Sequence, residues 1–164
     1  MTMLIRAAKA ADCAAILAFW NPIIRDTAVT FSSQEKTLQD LRQMLDDKAK
    51  AGHGFLVADL DGQVVGFATY GQFRAGVGYA HTMEHTVILS PKTQGRGIGR
   101  ALMTAIEDHA RRAGAHSIFA GVSMENPDAV AFHSKLGYSD GIVLPKVGFK
   151  FGRWMDLKLM QKFL

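Results

Sequence analysis

Between Ser90 and Gly114 the chain reads SPKTQGRGIGRALMTAIEDHARRAG, with glycines at 95, 97 and 99 followed by an unbroken helical pattern. Backbone stripped of side chains therefore leads into a helix, where the first-turn N–H groups have no intrahelical acceptor. Such donors, together with the positive end of the helix dipole, form an anion site that glycine lets a phosphate approach closely. Gly95, Gly97 and Gly99 lack the G-x-G-x-x-G spacing of a dinucleotide fold. No Lys followed by Ser or Thr closes the loop as a nucleoside-triphosphate site requires. A plain tight turn accounts for the same glycines without any ligand. A strand before, a helix after, and Arg96 and Arg100 alongside favour the phosphate.

Around this stretch the hydrophobic period alternates between strand and helix. MLIRAA reads as a first strand, and Asp12 as the cap of a helix whose apolar stripe is Ala15, Ile16, Phe19, Trp20, Ile23 and Ile24. A second helix covers Leu38 to Ala51 and stops at Gly52. Asp61-Gly62 joins two β-rich runs as a tight hairpin. YAHTMEHTVILS is the next strand, and the helix after the glycines runs to about Ala113. HSIFAGVS is a strand, NPDAVAFHSKLG a short helix with Pro127 in its first turn, and the chain ends as strand, turn and strand. The order β-α-α-β-β-β-α-β-α-β-β predicts an α/β domain, a mixed sheet with helices packed on it, spanning residues 1–164.

Composition narrows the function classes. Hydrophobic residues are 48% and charged residues 21%, a globular balance. No apolar run reaches the ~18 residues of a membrane span, and the N-terminus lacks a signal peptide's apolar core. The single Cys13 cannot form an internal disulfide, so the expected setting is the cytoplasm. It sits among Ala and Ile as a buried thiol with no base in view, which argues against a covalent acyl-enzyme. The net charge of +4 includes no Lys/Arg block, so nucleic acid is not an expected partner. His81 and His85 flank Glu84, yet on a strand they stand ~13 Å apart, too far for one ion with bonds near ~2 Å. No metal is expected.

QGRGIGRAL resembles the Q/R-x-x-G-x-G/A signature of the GNAT superfamily of acyl-CoA N-acyltransferases. NPDAVAFHSKLGY resembles that superfamily's second motif, N-x-x-A-x-x-F-Y-x-K-x-G-F, one strand later. RAAKAADCAAILAFWN, YAHTMEHTVILSPKTQGRGIG and LPKVGFKFGRWMDL are similar to the phosphinothricin and methionine sulfone/sulfoximine acetyltransferases. The resemblance implies the GNAT fold, a mixed, mostly antiparallel sheet flanked by helices, with acetyl-CoA as cosubstrate. It implies that Gly95, Arg96, Gly97, Ile98, Gly99 and Arg100 hold the pyrophosphate, and that Asn126 and Lys135 contact the cofactor. From the residues alone Asn126 is equally a helix cap and Lys135 a solvated lysine. Backbone N–H groups of Val87, Ile88 and Leu89 are implied beside the pantetheine as oxyanion donors. The acceptor is implied to meet Arg74, Ala75, Gly76, Glu84, His85 and Thr86, in a homodimer with the pocket near the subunit boundary.

Moving an acetyl group from a thioester to an amine needs a base, a stabilised oxyanion and a protonated leaving thiolate. Glu84 is an acidic residue in mid-strand, where acids are unfavourable without cause. Alternation places it with Thr82 and Thr86 on one face, and His85 with Met83 and Val87 on the other. An exposed or ion-paired strand residue is the alternative; the resemblance makes Glu84 the general base. The Tyr that follows Phe in the second motif is here His133, which either protonates the thiolate or only hydrogen-bonds the cofactor. Tyr138 reads as core. Arg74 suits a substrate carboxylate or is an ordinary loop arginine, and Phe31 walls the acceptor pocket or belongs to the core. The expected activity is direct acetyl transfer to the α-amine of a small amino-acid analogue. The alternatives are an acetyltransferase of peptide N-termini or lysines, and a non-catalytic acyl-CoA-binding module of the same fold.

Overall fold

The computed structural model describes residues 1–93 and 95–164; Gln94, which opens the glycine motif, lies outside the described residues. The elements are β1 (Met3–Ala7), α1 (Cys13–Asp26), α2 (Leu38–Ala51), β2 (Phe55–Leu60), β3 (Gln63–Gln72) and β4 (Thr82–Leu89). They continue as α3 (Ile98–Arg112), β5 (Ser117–Ser123), α4 (Pro127–Lys135), β6 (Ile142–Lys150) and β7 (Arg153–Phe163). This is the order that the periodicity predicts. The seven strands form one sheet in the order β1-β2-β3-β4-β5-β7-β6. Every pairing is antiparallel except β4 with β5.

Local chemistry explains the boundaries. Thr37 accepts from Asp40 N–H and Asp40 accepts in return from Thr37, a reciprocal cap that starts α2. Gly52, at φ +73°, ends that helix. Asp12 does not cap α1 as expected. Its carboxylate accepts from Lys9 N–H at 2.7 Å and from Arg6 at 2.8 and 3.0 Å, so it fastens β1 to the short turn before the helix.

Side chains alternate across the sheet into two cores. Cys13, Ile16, Trp20 and Leu41, from α1 and α2, pack on Phe67 and Ile88. Leu102, Met103 and Ile106 of α3 pack on Tyr70, Met83 and Met160 from the opposite face. In that second core Glu107 is buried, accepting from the Tyr138 hydroxyl at 2.8 Å and from Lys162 at 2.7 Å. Tyr138 is the core residue expected, although it follows α4 rather than lying in a strand. Replacing Lys162 by Met strands the Glu107 charge. The expected loss is ~2–3 kcal/mol, below the full cost of breaking a buried pair because Lys162 stays partly open to water. Urea unfolding measures it, and a loss under ~0.5 kcal/mol would show that the pair contributes no more than a surface site.

Candidate active site

β4 bonds to β3 along its whole length, and its remaining edge is available only in part. Ser90 N–H donates to Val65 C=O and Phe73 N–H to Thr82 C=O, so even-numbered residues of β4 exchange bonds with β3. Odd-numbered residues face β5. The β4–β5 ladder runs from Thr82↔Ser117 to His85↔Ala120 and ends there. Beyond it the strands splay, and Val87 and Leu89 turn their N–H groups into the opening. Ile88 differs from its two neighbours, because its amide faces Phe67 in β3.

Two helices begin at this splay, α3 after β4 and α4 after β5. Gly95 and Gly97 adopt φ +80° and +77°, and a Cβ on either would meet nothing within 4 Å among the described residues. Their bareness therefore serves backbone conformation and access, not packing. Gly99 is different: its Cβ would stand 3.2 Å from the Phe132 ring and 3.3 Å from Leu89, so it lets α3 lie close to α4 and β4. Among the described residues no side chain caps α3, and the first intrahelical bond is Ala101 N–H to Gly97 C=O. The amides of Ile98, Gly99 and Arg100 are left as donors. The exposed Lys92, Arg96 and Arg100 surround them with positive charge, and none pairs with a carboxylate among the described residues. Asn126 is the α4 cap, accepting from Ala129 N–H at 3.3 Å, and Lys135 is exposed in that helix's last turn.

Glu84 stands on the α1–α2 face of the sheet, beside the splay. It is paired across the strands with Gly71 of β3 and Phe119 of β5. A Cβ on Gly121 would lie 2.7 Å from a Glu84 carboxylate oxygen, with Leu157 and Leu159 just beyond. On the other flank a Cβ on Gly71 would lie 2.9 Å from Lys48 Nζ. Two glycines thus clear the sheet on either side of the acid, and the Phe73–Phe119 stack walls it. The carboxylate has no hydrogen-bond or ion-pair partner among the described residues, and burial alone raises its pKa. A half-buried, unpaired carboxylate with an elevated pKa is a good proton acceptor.

His85 and His133 lie on the opposite face. His85 is buried and stacked on His133 at 5.0 Å, and burial with that neighbour pushes its pKa down to about 3. Its side chain is turned away from Glu84, and its backbone is taken up by the ladder with Ala120 of β5, so the acceptor contact expected at this position has no group of His85 free to make it. His133 is also buried, its Nδ1 lies 2.7 Å from Ala129 C=O, and burial lowers its pKa. A carbonyl only accepts, so Nδ1 carries the proton and the enclosed Nε2 has none to give. Thr86 is exposed on the Glu84 face.

Arg74, Ala75 and Gly76 form an exposed loop between β3 and β4, closed by Gln72, whose amide donates to Arg74 C=O and Gly76 C=O. The Arg74 guanidinium lies 5.4 Å from the Tyr79 ring centre and pairs with no carboxylate among the described residues. Phe31 lies over Gly148 of β6. Sequence reasoning missed Gly71, Gly121, Phe119 and Leu159; a lone glycine within a strand pattern was the available signal. Among the described residues no cluster of His, Cys, Asp and Glu could hold a metal, and no helix is long and apolar enough to cross a membrane.

The acetyltransferase (GNAT) family pattern matches residues 17–138. The L-amino acid N-acyltransferase MnaT of Escherichia coli is 38% identical over 97% of this chain and 92% of its own. The L-methionine sulfoximine/L-methionine sulfone acetyltransferase of Salmonella typhimurium is 36% identical over 97% and 93%. A phosphinothricin N-acetyltransferase of Streptomyces viridochromogenes is 32% identical over 96% and 86%. Among solved structures, yncA of Salmonella typhimurium with acetyl-CoA aligns at TM-score 0.95 and 36% identity, covering 100% of this chain and 95% of that one. A ribosomal-protein-alanine N-acetyltransferase from Brucella melitensis aligns at TM-score 0.95 and 38% identity, covering 98% and 99%. With this fold, this splay and these relatives, the chain belongs to the GNAT family of acetyltransferases.

Proposed function

We propose that this enzyme transfers acetyl from acetyl-CoA to the α-amine of a small amino acid or amino-acid analogue, by direct attack with Glu84 as general base. The observation that carries the reading is the lone half-buried carboxylate of Glu84, cleared by Gly71 and Gly121, beside a splay into which two amides point. Acetyl-CoA is the cosubstrate because the α3 amides and the surrounding cations suit its pyrophosphate, and the related yncA structure contains it. The acceptor nitrogen attacks the thioester carbon, and its proton passes to Glu84 directly or through water. The carbonyl oxygen becomes negative against the Val87 and Leu89 amides, donors of a kind worth ~3–4 kcal/mol in other acyl transfers. The C–S bond then breaks, releasing acetylated amine and the thiolate, which takes up a proton.

The small acceptor is supported by relatives named for amino acids and methionine analogues. Arg74 is proposed to bind the acceptor carboxylate. Replacing it by Ala is expected to raise the acceptor KM ~tenfold or more, the worth of a lost charge-assisted pair, with the acetyl-CoA KM unchanged. Equal rises on both substrates would remove it as a carboxylate clamp.

One observation favours a second acceptor class, the 38% identity to a ribosomal-protein-alanine N-acetyltransferase. A thiol-release assay distinguishes the classes. It uses acetyl-CoA with phosphinothricin, methionine sulfone, methionine sulfoximine, the common amino acids and a peptide with N-terminal alanine. Turnover of the peptide alone would overturn the small-acceptor reading, and no turnover of any amine would favour a non-catalytic acyl-CoA-binding module.

A further inference from the structure

From residue 27 to residue 37, between α1 and α2, the chain has no regular structure, yet a side chain of β6 fastens one end and a side chain of α1 the other. Lys150 of β6 is buried, and its ammonium donates to the carbonyls of Ile24, Thr27 and Thr30 at 2.5, 2.6 and 2.8 Å. All three of its protons are used. No carboxylate lies within ion-pair range among the described residues. A buried charge without a direct ion pair is costly, and here carbonyls at the negative end of the α1 dipole, with Asp26 farther off, offset that cost. Two residues earlier Gly148 is buried, and a Cβ there would overlap the Phe31 ring. At the other end the Asn21 side chain exchanges two 2.9 Å hydrogen bonds with the Lys36 backbone.

The route between these fastenings crosses the site. Gly148 pairs with Met155, which shares its face of β7 with Leu157 and Leu159, the leucines beside Gly121 and Glu84. Phe31 therefore covers the Glu84 face at its β6 edge. Ser32, Gln34 and Lys36 then share a cleft of about 680 Å³ with Lys48 and Gly71, the residue opposite Glu84. The strand order from β6 to β3 passes through β4, so the segment spans the face on which Glu84 stands.

We propose that Lys150 is a positioning residue: it anchors 27–36 as a strap over Glu84, and Phe31, seated on Gly148, sets the room for the acceptor side chain. The inference rests on the small-acceptor reading above. Lys150 touches no substrate; it acts through the strap.

Hydrogen exchange and steady-state kinetics test it on the full chain. In Lys150→Met, exchange in 27–36 is expected to rise about tenfold for the lost charged hydrogen bonds, with α3 and β4 unchanged. The KM for the best acceptor of the panel rises about as much while that for acetyl-CoA holds, and Lys150→Arg restores part of both. Gly148→Ala raises the acceptor KM by displacing Phe31, and adds nothing in a Phe31→Ala background. Unchanged exchange in 27–36, equal KM rises on both substrates, or a Gly148→Ala effect that persists without Phe31 each overturns the proposal. If Lys150→Met does not fold, the Gly148 and Phe31 pair still decides. A wild type that acetylates no small acceptor sinks the acceptor reading, while the exchange result judges the strap separately.

Discussion

Glu84→Gln is expected to lower kcat by ~10²–10⁴-fold, the usual contribution of a positioned base, with acetyl-CoA affinity unchanged. The amide keeps the shape that Gly121 accommodates and cannot take a proton. The pH profile adds an independent sign. A base works only when ionised, and burial raises the Glu84 pKa above the ordinary 4.5. Turnover in the wild type should therefore fall as pH drops through that raised pKa and level off above it. In Glu84→Gln this limb should vanish. Stopped-flow and steady-state rates across acidic pH would reveal both effects, and unchanged turnover in the variant would remove Glu84 from the mechanism.

Gly97→Val is expected to show the reverse pattern, weakened acetyl-CoA binding with the base intact. Gly97 caps α3 in the left-handed region, at φ +77°. A side chain there costs ~1–2 kcal/mol, and a β-branched one tolerates the conformation least. Strain that the free and bound loop share costs stability and not affinity; it weakens binding when the free loop relaxes and the cofactor must restore the left-handed turn. A relaxed loop turns the amides of Ile98, Gly99 and Arg100 away from the pyrophosphate, and since ~1.4 kcal/mol is tenfold in affinity, restoring them predicts a loss of about tenfold. Calorimetric titration with acetyl-CoA measures it. Wild-type affinity in Gly97→Val would refute the role given to these amides.

Much of this site was legible along the chain. Alternation in HTMEHTVIL separates Glu84 from His85, and the structure places them on opposite faces. The glycine run opens a helix as expected, but its three members divide: Gly95 and Gly97 carry positive φ, whereas Gly99 makes room for Phe132. A period-two pattern cannot tell these roles apart, because packing partners come from distant segments. His133 shows the same limit. Its motif position suggests a proton donor, and only its neighbours reveal that burial and the Ala129 carbonyl occupy it. Asp12 has the composition of a cap, yet Arg6 competes for its carboxylate more strongly through two charged bonds.

Local rules of period, turn and cap depend on neighbours a few residues away, so the amino-acid order alone determined the elements, their succession and the face on which the acid stands. Tertiary structure decided which bare positions flank that acid, where β4 parts from β5, and how Lys150 reaches back to the end of α1. Those features join segments up to 126 residues apart. Close packing, not local propensity, chooses among the ways such segments can meet.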